Sequence, residues 1–157
     1  MKNIILYIFV LGSVSSFSQT LESIKKIDTI YIYFDYGNHQ EKVCFKDLKI
    51  VSEYYYNTFY FKFKIDHNNF KFVYSDYKDF DSFNKGIKMD VKVVRKKFLK
   101  QKKDKILDID FFLENGFRET VMAIYSKKFY IIDSKEIKGR KIVLREVYAD
   151  FSYYEEM

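Results

Sequence analysis

The chain predicts an α+β fold: a mainly antiparallel sheet of about six to eight strands, with two short helices between an N-terminal and a C-terminal group of strands. Three observations carry this expectation. Period-two alternation of apolar and polar residues recurs in several separate segments. One pair of these segments is joined by a turn of Asp, His and Asn residues. The stretches of helical character fall together in the middle of the chain, between Arg95 and Gly116.

Taken in order, the chain begins with an address. Lys2 precedes an apolar run from Ile4 to Leu11, and small residues lead to Ser16-Phe17-Ser18. The run is shorter than the ~20 residues a spanning helix needs, and Ser16 and Ser18 are the small side chains a signal peptidase selects. Residues 1–18 therefore read as a signal peptide cleaved after Ser18, and residues 19–157 as a single α+β domain, periplasmic or extracellular.

Ile30, Ile32 and Phe34 interleave with Tyr31, Tyr33 and Asp35, as expected of a strand with one face buried. The same alternation is cleanest from Phe59 to Ile65. Asp66-His67-Asn68-Asn69 then supplies turn-closing side chains, and Phe70, Phe72 and Tyr74 resume the pattern on a returning strand. After a polar loop from Ser75 to Gly86, Ile87, Met89, Val91 and Val93 alternate with Lys88, Asp90 and Lys92. A helix is expected from Arg95 to Lys105, with Phe98 and Leu99 as its narrow apolar face. A second is expected from about Asp108, with Gly116 in a left-handed conformation at its end and Phe117 folded back on Phe112. Three further strands follow: Thr120 to Tyr125, Phe129 to Ile132 and Ile142 to Tyr148, with a turn around Gly139.

Composition narrows the function classes. Before Gln19 only Lys2 is charged, so the remainder of the chain is mildly basic, and lysine far outnumbers arginine. Lys, Asn, Ile, Phe and Tyr are abundant and Gly, Ala, Pro and Arg scarce, which is the mark of an A/T-rich genome rather than of a binding surface. Tryptophan, the usual platform for sugars and bases, is absent. A single cysteine, Cys44, argues against a disulfide scaffold and is expected to be buried and unpaired.

No residue pattern matches a catalytic or metal signature, so no catalytic residue, metal centre or cofactor is expected. His39 and His67 both sit in turns, without a ligand partner at metal-binding spacing. Asp76, Asp79, Asp81 and Asn84 make an oxygen-rich loop, but Phe83 and Asn84 break the calcium-loop register. Asp110 and Glu114 share a helix face, where Asp108 and Asp110 complement the positive helix start. The basic run Arg95, Lys96, Lys97, Lys100, Lys102, Lys103 and Lys105 would spread around most of a helix circumference, as on a solvated helix.

The best binding candidates are tyrosines: Tyr31, Tyr33, Tyr54, Tyr55, Tyr56 and Tyr60, on what could be the open face of a sheet. If helices cover that face, the same residues are structural. The expected partner is a protein or another envelope component. Nucleic acid, a stable membrane span and an anionic membrane surface are not expected. The chain thus reads as an exported, non-enzymatic binding domain. A small secreted hydrolase and an inhibitor or immunity-type protein are the alternatives.

With its Ser-Phe-Ser-Gln cleavage region and its lysine-, tyrosine- and phenylalanine-rich body, the chain resembles the small Sec-exported envelope proteins of flavobacteria-like bacteria. The match lies in the first twenty residues and implies export, with no functional residue to carry over. In strand number the chain also resembles lipocalin-like barrels, without the tryptophan their first strand usually carries.

Overall fold

A computed structural model describes residues 19–47, 56–65, 67–77 and 89–151. The expected signal peptide and most of the loop from Ser75 to Gly86 lie outside them. Among the described residues the fold is α+β, with a mostly antiparallel sheet of eight strands. The strands are β1 (Thr29–Phe34), β2 (Gln40–Asp47), β3 (Tyr56–Ile65), β4 (Asn68–Tyr77), β5 (Val91–Arg95), β6 (Ile106–Leu107), β7 (Lys128–Asp133) and β8 (Lys141–Asp150). Among the described residues the helices are α1 (Leu21–Lys25), α2 (Lys97–Gln101), α3 (Ile109–Asn115) and α4 (Phe117–Ile124), twice the number expected.

The sheet runs in the order β2-β3-β4-β8-β7-β1-β6. It is mixed, because β1 lies parallel to both β6 and β7. Strand β8 is shared between two neighbourhoods: residues 141–145 pair with β5, and residues 148–150 with β4. On its other side residues 144–147 pair with β7. Strands β4 and β5 therefore follow one another along the same edge of β8.

The sheet is strongly curled. Four strand spacings of ~4.8 Å separate β3 from β1 along the order β3-β4-β8-β7-β1, or roughly 19 Å if flat. Yet the Phe34 ring meets Phe61 and Phe63 edge-on, with centroids 5.2 and 5.5 Å apart. The curl encloses the main core, into which α1 sends Ile24, α3 Phe111 and Phe112, and α4 Phe117, Ala123 and Ile124. Phe112 meets Phe63 at 5.0 Å and Phe70 at 4.7 Å, and Phe117 meets Phe70 at 4.6 Å.

A second cluster lies on the outer face of β1, β7 and β8. It comprises Tyr130, Ile132, Ile142 and Leu144, covered in part by Phe98 and Leu99 of α2. Strand β7 is consequently buried on both faces, as expected of a strand covered on both sides.

The hairpin of β3 and β4 forms as expected, and its Phe61, Phe63, Phe70 and Phe72 all face the core. Asp108 caps α3 through a hydrogen bond from the Phe111 amide, 3.2 Å. Gly116 has the expected positive φ of 72°, but its ψ of 173° lies outside the left-handed helical region. Glycine alone enters this region readily. The chain can therefore end α3 and begin α4 at one residue.

Four expectations are corrected. Thr120 to Tyr125 is not a strand: Thr120 to Ile124 form the body of α4 and Tyr125 follows its end, because Phe117, Thr120 and Ile124 recur at helical spacing and are buried together. The helix expected from Arg95 to Lys105 shrinks to the five residues of α2, since Arg95 ends β5 and Lys103–Lys105 form a 3-10 turn. Strand β2, whose sequence lacks clean alternation, was not expected at all. Cys44 is exposed rather than buried, because β2 is the terminal strand of the sheet order.

Candidate binding face

The outer face of β2, β3, β4 and the end of β8 carries a transverse row. Val43 lies opposite Tyr60, Tyr60 opposite Val73, and Val73 opposite Tyr148. Three strand spacings make the row about 14 Å wide. Tyr148 is 46% exposed, while Val43, Tyr60 and Val73 are half-buried.

One register step away runs a charged row, Glu41-Lys62-Lys71-Asp150. Lys64 pairs with Glu41 at 3.2 Å and Lys71 with Asp150 at 3.9 Å. On the other flank Thr58 and Ser75 stand opposite each other with hydroxyl oxygens 3.3 Å apart. An apolar and aromatic centre bordered by charged and hydroxyl groups is the usual anatomy of a protein interface.

The tyrosines singled out by sequence divide between two places. Tyr60 belongs to the row. Tyr31 lies on the other half of the sheet, meeting Phe98 of α2 edge-on at 4.9 Å and stacking on Tyr130 at 5.8 Å. Burial pushes its phenol pKa upward. Tyr33 packs half-buried against the same cluster. Tyr56 begins β3, and Tyr54 and Tyr55 lie outside the described residues. Sequence reasoning missed Val43, Val73 and Tyr148. Alternation places Tyr148 opposite in facing to Val147, but only strand order sets it beside β4.

The inner face ends in a polar rim at the carboxyl ends of β1 and β7. Asp133, its side chain 1% exposed, accepts from the Lys42 ammonium at 2.6 Å and the Tyr36 hydroxyl at 2.8 Å, both at Oδ2. Its Oδ1 accepts from the Lys135 amide at 3.0 Å. Burial, and then the hydrogen bond to Asp133, push the Tyr36 pKa well above that of a free phenol, so Tyr36 remains a proton donor.

Tyr36 also has a φ of 66°, uncommon for a bulky side chain. Its ring is fixed edge-on to Phe34 at 4.8 Å, with the Lys135 ammonium 3.5 Å from its centroid. Nearby, Arg145 binds both oxygens of Glu136, at 2.9 and 3.2 Å, and donates to the Tyr74 hydroxyl at 3.3 Å. These charges satisfy one another: Lys42 and Asp133 tie β2 to β7, and Arg145 ties β8 to the turn after β7 and to β4.

The remaining candidates are dispersed. His39 and His67 are exposed in their turns. Cys44 lies five extended residues along β2 from His39, about 17 Å, too far for a thiol–imidazole pair. Asp110 and Glu114 are exposed on α3. Asp79, Asp81 and Asn84 lie outside the described residues, as does the side chain of Asp76. Among the described residues no three His, Cys, Asp or Glu side chains gather as metal ligands, and no helix is long and apolar enough to cross a membrane.

Among the described residues, fold and face together define an α+β domain with a curled mixed sheet whose outer face carries the row Val43-Tyr60-Val73-Tyr148. Comparison with protein-family models, with curated proteins and with solved structures found no match to this chain.

Proposed function

We propose that the chain is an exported, non-enzymatic domain that binds a protein partner of the cell envelope through the outer face of β2, β3, β4 and β8. The observation that carries this reading is the row Val43-Tyr60-Val73-Tyr148, which crosses four strands between a charged and a hydroxyl border. Tyrosine gives a large contact area at low entropy cost, which suits it to the centre of an interface. The polar rim supports a scaffold role, because its carboxylates and cations are engaged with one another. Export rests on Lys2, the apolar run from Ile4 and the Ser16-Phe17-Ser18 site.

The test is site-specific photo-crosslinking in producing cells, with the reactive residue at position 148 or, as a control, at position 118 on α4. A discrete adduct from position 148, absent from 118 and lost when Val73 is changed to Lys, is the expected result. Adducts of equal yield from both positions, or from neither, would refute the face. Export is read separately by intact mass, which should lack Met1 to Ser18.

A further inference from the structure

Two basic segments far apart in sequence meet on one surface. Arg95 at the end of β5 pairs in register with Lys141 at the start of β8. The Lys96 amide donates to the Arg140 carbonyl at 2.7 Å. Lys138 and Lys141 exchange backbone hydrogen bonds of 3.1 and 3.0 Å across a turn that Gly139 closes with a φ of 57°. Arg95, Lys96, Lys97, Lys138, Arg140 and Lys141 are thereby held as neighbours, and all six are exposed.

Ion pairs elsewhere in the described residues engage Lys25, Lys64, Lys92 and Lys128 among others, but none of these six. A genome-wide excess of lysine would scatter such charges. Here backbone hydrogen bonds hold them together against their mutual repulsion.

We propose that this surface, formed by the ends of β5 and β8 and the start of α2, docks the protein peripherally on an anionic phospholipid bilayer. Charge complementarity is the first argument. Each basic residue close to such a membrane strengthens binding about fivefold. The second argument selects a bilayer over a soluble polyanion. On the same face of β5 as Arg95, alternation places Val91 and Val93, 44% and 63% exposed. Apolar side chains beside a basic cluster match the boundary between headgroups and acyl chains, and a soluble polyanion would leave them in water.

The sequence expectation of charges spread around a long helix does not apply to this surface. Phe98 and Leu99 of the short α2 pack against the second cluster, and the turn before β8 together with its first residue, Lys141, supplies half of the basic residues.

The experiment measures sedimentation of the chain with vesicles of phosphatidylcholine alone or mixed with phosphatidylglycerol, at low and at physiological salt. Wild type is compared with Lys96→Gln/Arg140→Gln/Lys141→Gln and with a charge-matched control, Lys25→Gln/Lys26→Gln/Arg118→Gln, whose three residues are exposed on α1 and α4 or at the end of α1. All share the same N-terminus, so any contribution from the apolar run at Ile4 to Leu11 is common to them. Binding should require phosphatidylglycerol and weaken with salt. It should fall about 100-fold in the first variant and stay within a few-fold of wild type in the control.

Equal loss in both variants, indifference to phosphatidylglycerol, or binding to inorganic polyphosphate without binding to vesicles would overturn the proposal. Circular dichroism verifies the fold of each variant, and the salt dependence of wild type stands without them. Crosslinking at position 148 reads the sheet face independently, so the two proposals fail separately.

Discussion

Lys42 on β2 places its ammonium 2.6 Å from Oδ2 of Asp133 at the end of β7, a carboxylate with 1% of its side chain exposed. The same ammonium lies over the rings of Phe59 and Phe61, 5.1 and 4.8 Å from their centroids. An edge strand is thereby tied to the centre of the sheet by a charge that is both paired and set against aromatic faces. Asp133→Ala should strand the Lys42 charge and orphan the Tyr36 hydroxyl, at a cost of about 3–5 kcal/mol. The double variant Lys42→Met/Asp133→Leu should lose clearly less. Urea denaturation of both measures the difference, and equal losses would show that the pair is not coupled.

Phe61 and Lys62 are neighbours on β3 with opposite fates, Phe61 being 1% exposed in the main core and Lys62 on the outer face. Phe61→Ala should cost about 3–5 kcal/mol, through lost burial and the cavity left behind. Lys62→Ala should change stability by less than about 0.5 kcal/mol. Chemical denaturation midpoints decide it.

Thr120 on α4 is fully buried, and its hydroxyl has no hydrogen-bond partner among the described residues. Thr120→Val keeps the shape and removes the unsatisfied group. It should stabilise the protein by about 1–2 kcal/mol, seen as a higher Tm. A lower Tm would mean that the hydroxyl is satisfied in solution.

Alkaline pH should unfold the protein in part through Tyr36. Its folded-state pKa is raised, so above about pH 10 the unfolded chain loses a phenolic proton that the folded chain retains. Unfolding then releases a proton, and stability falls as pH rises. The contribution is complete below the unfolded pKa and disappears as pH passes the folded one. Tyr36→Phe should flatten the alkaline limb of the stability–pH profile, and an unchanged slope would contradict the assignment.

Cys44 is exposed on the terminal strand, so a thiol reagent should label the native protein at nearly the rate seen in denaturant. Labelling only after unfolding would mean that the edge of the sheet is covered.

Local chemistry made much of the fold legible. The β3–β4 hairpin is written in the alternation from Phe59 to Tyr74, because its partner strands are joined by a short turn. The cap of α3 is written in Asp108, because capping spans three residues. Thr120 to Tyr125 failed for an equally local reason: a short run of threonine, valine, alanine and isoleucine suits strand or buried helix. Only the packing of Phe117, Thr120 and Ile124 into the curl selected helix.

What the sequence by itself determined is the α+β class, the hairpin, the strands β1, β7 and β8, and an aromatic content large enough to fill the curl. The tertiary structure alone decided the rest. Strand order, a long-range property, put Tyr148 beside Val73 and Tyr60 while α2 covered Tyr31. Backbone pairing across the turn at Gly139 brought Arg140 and Lys141 to Arg95 and Lys96. Side-chain type and periodicity fix which face a residue takes within its own strand, but the loop-closure and packing energies that choose a strand's neighbour are summed over the whole chain.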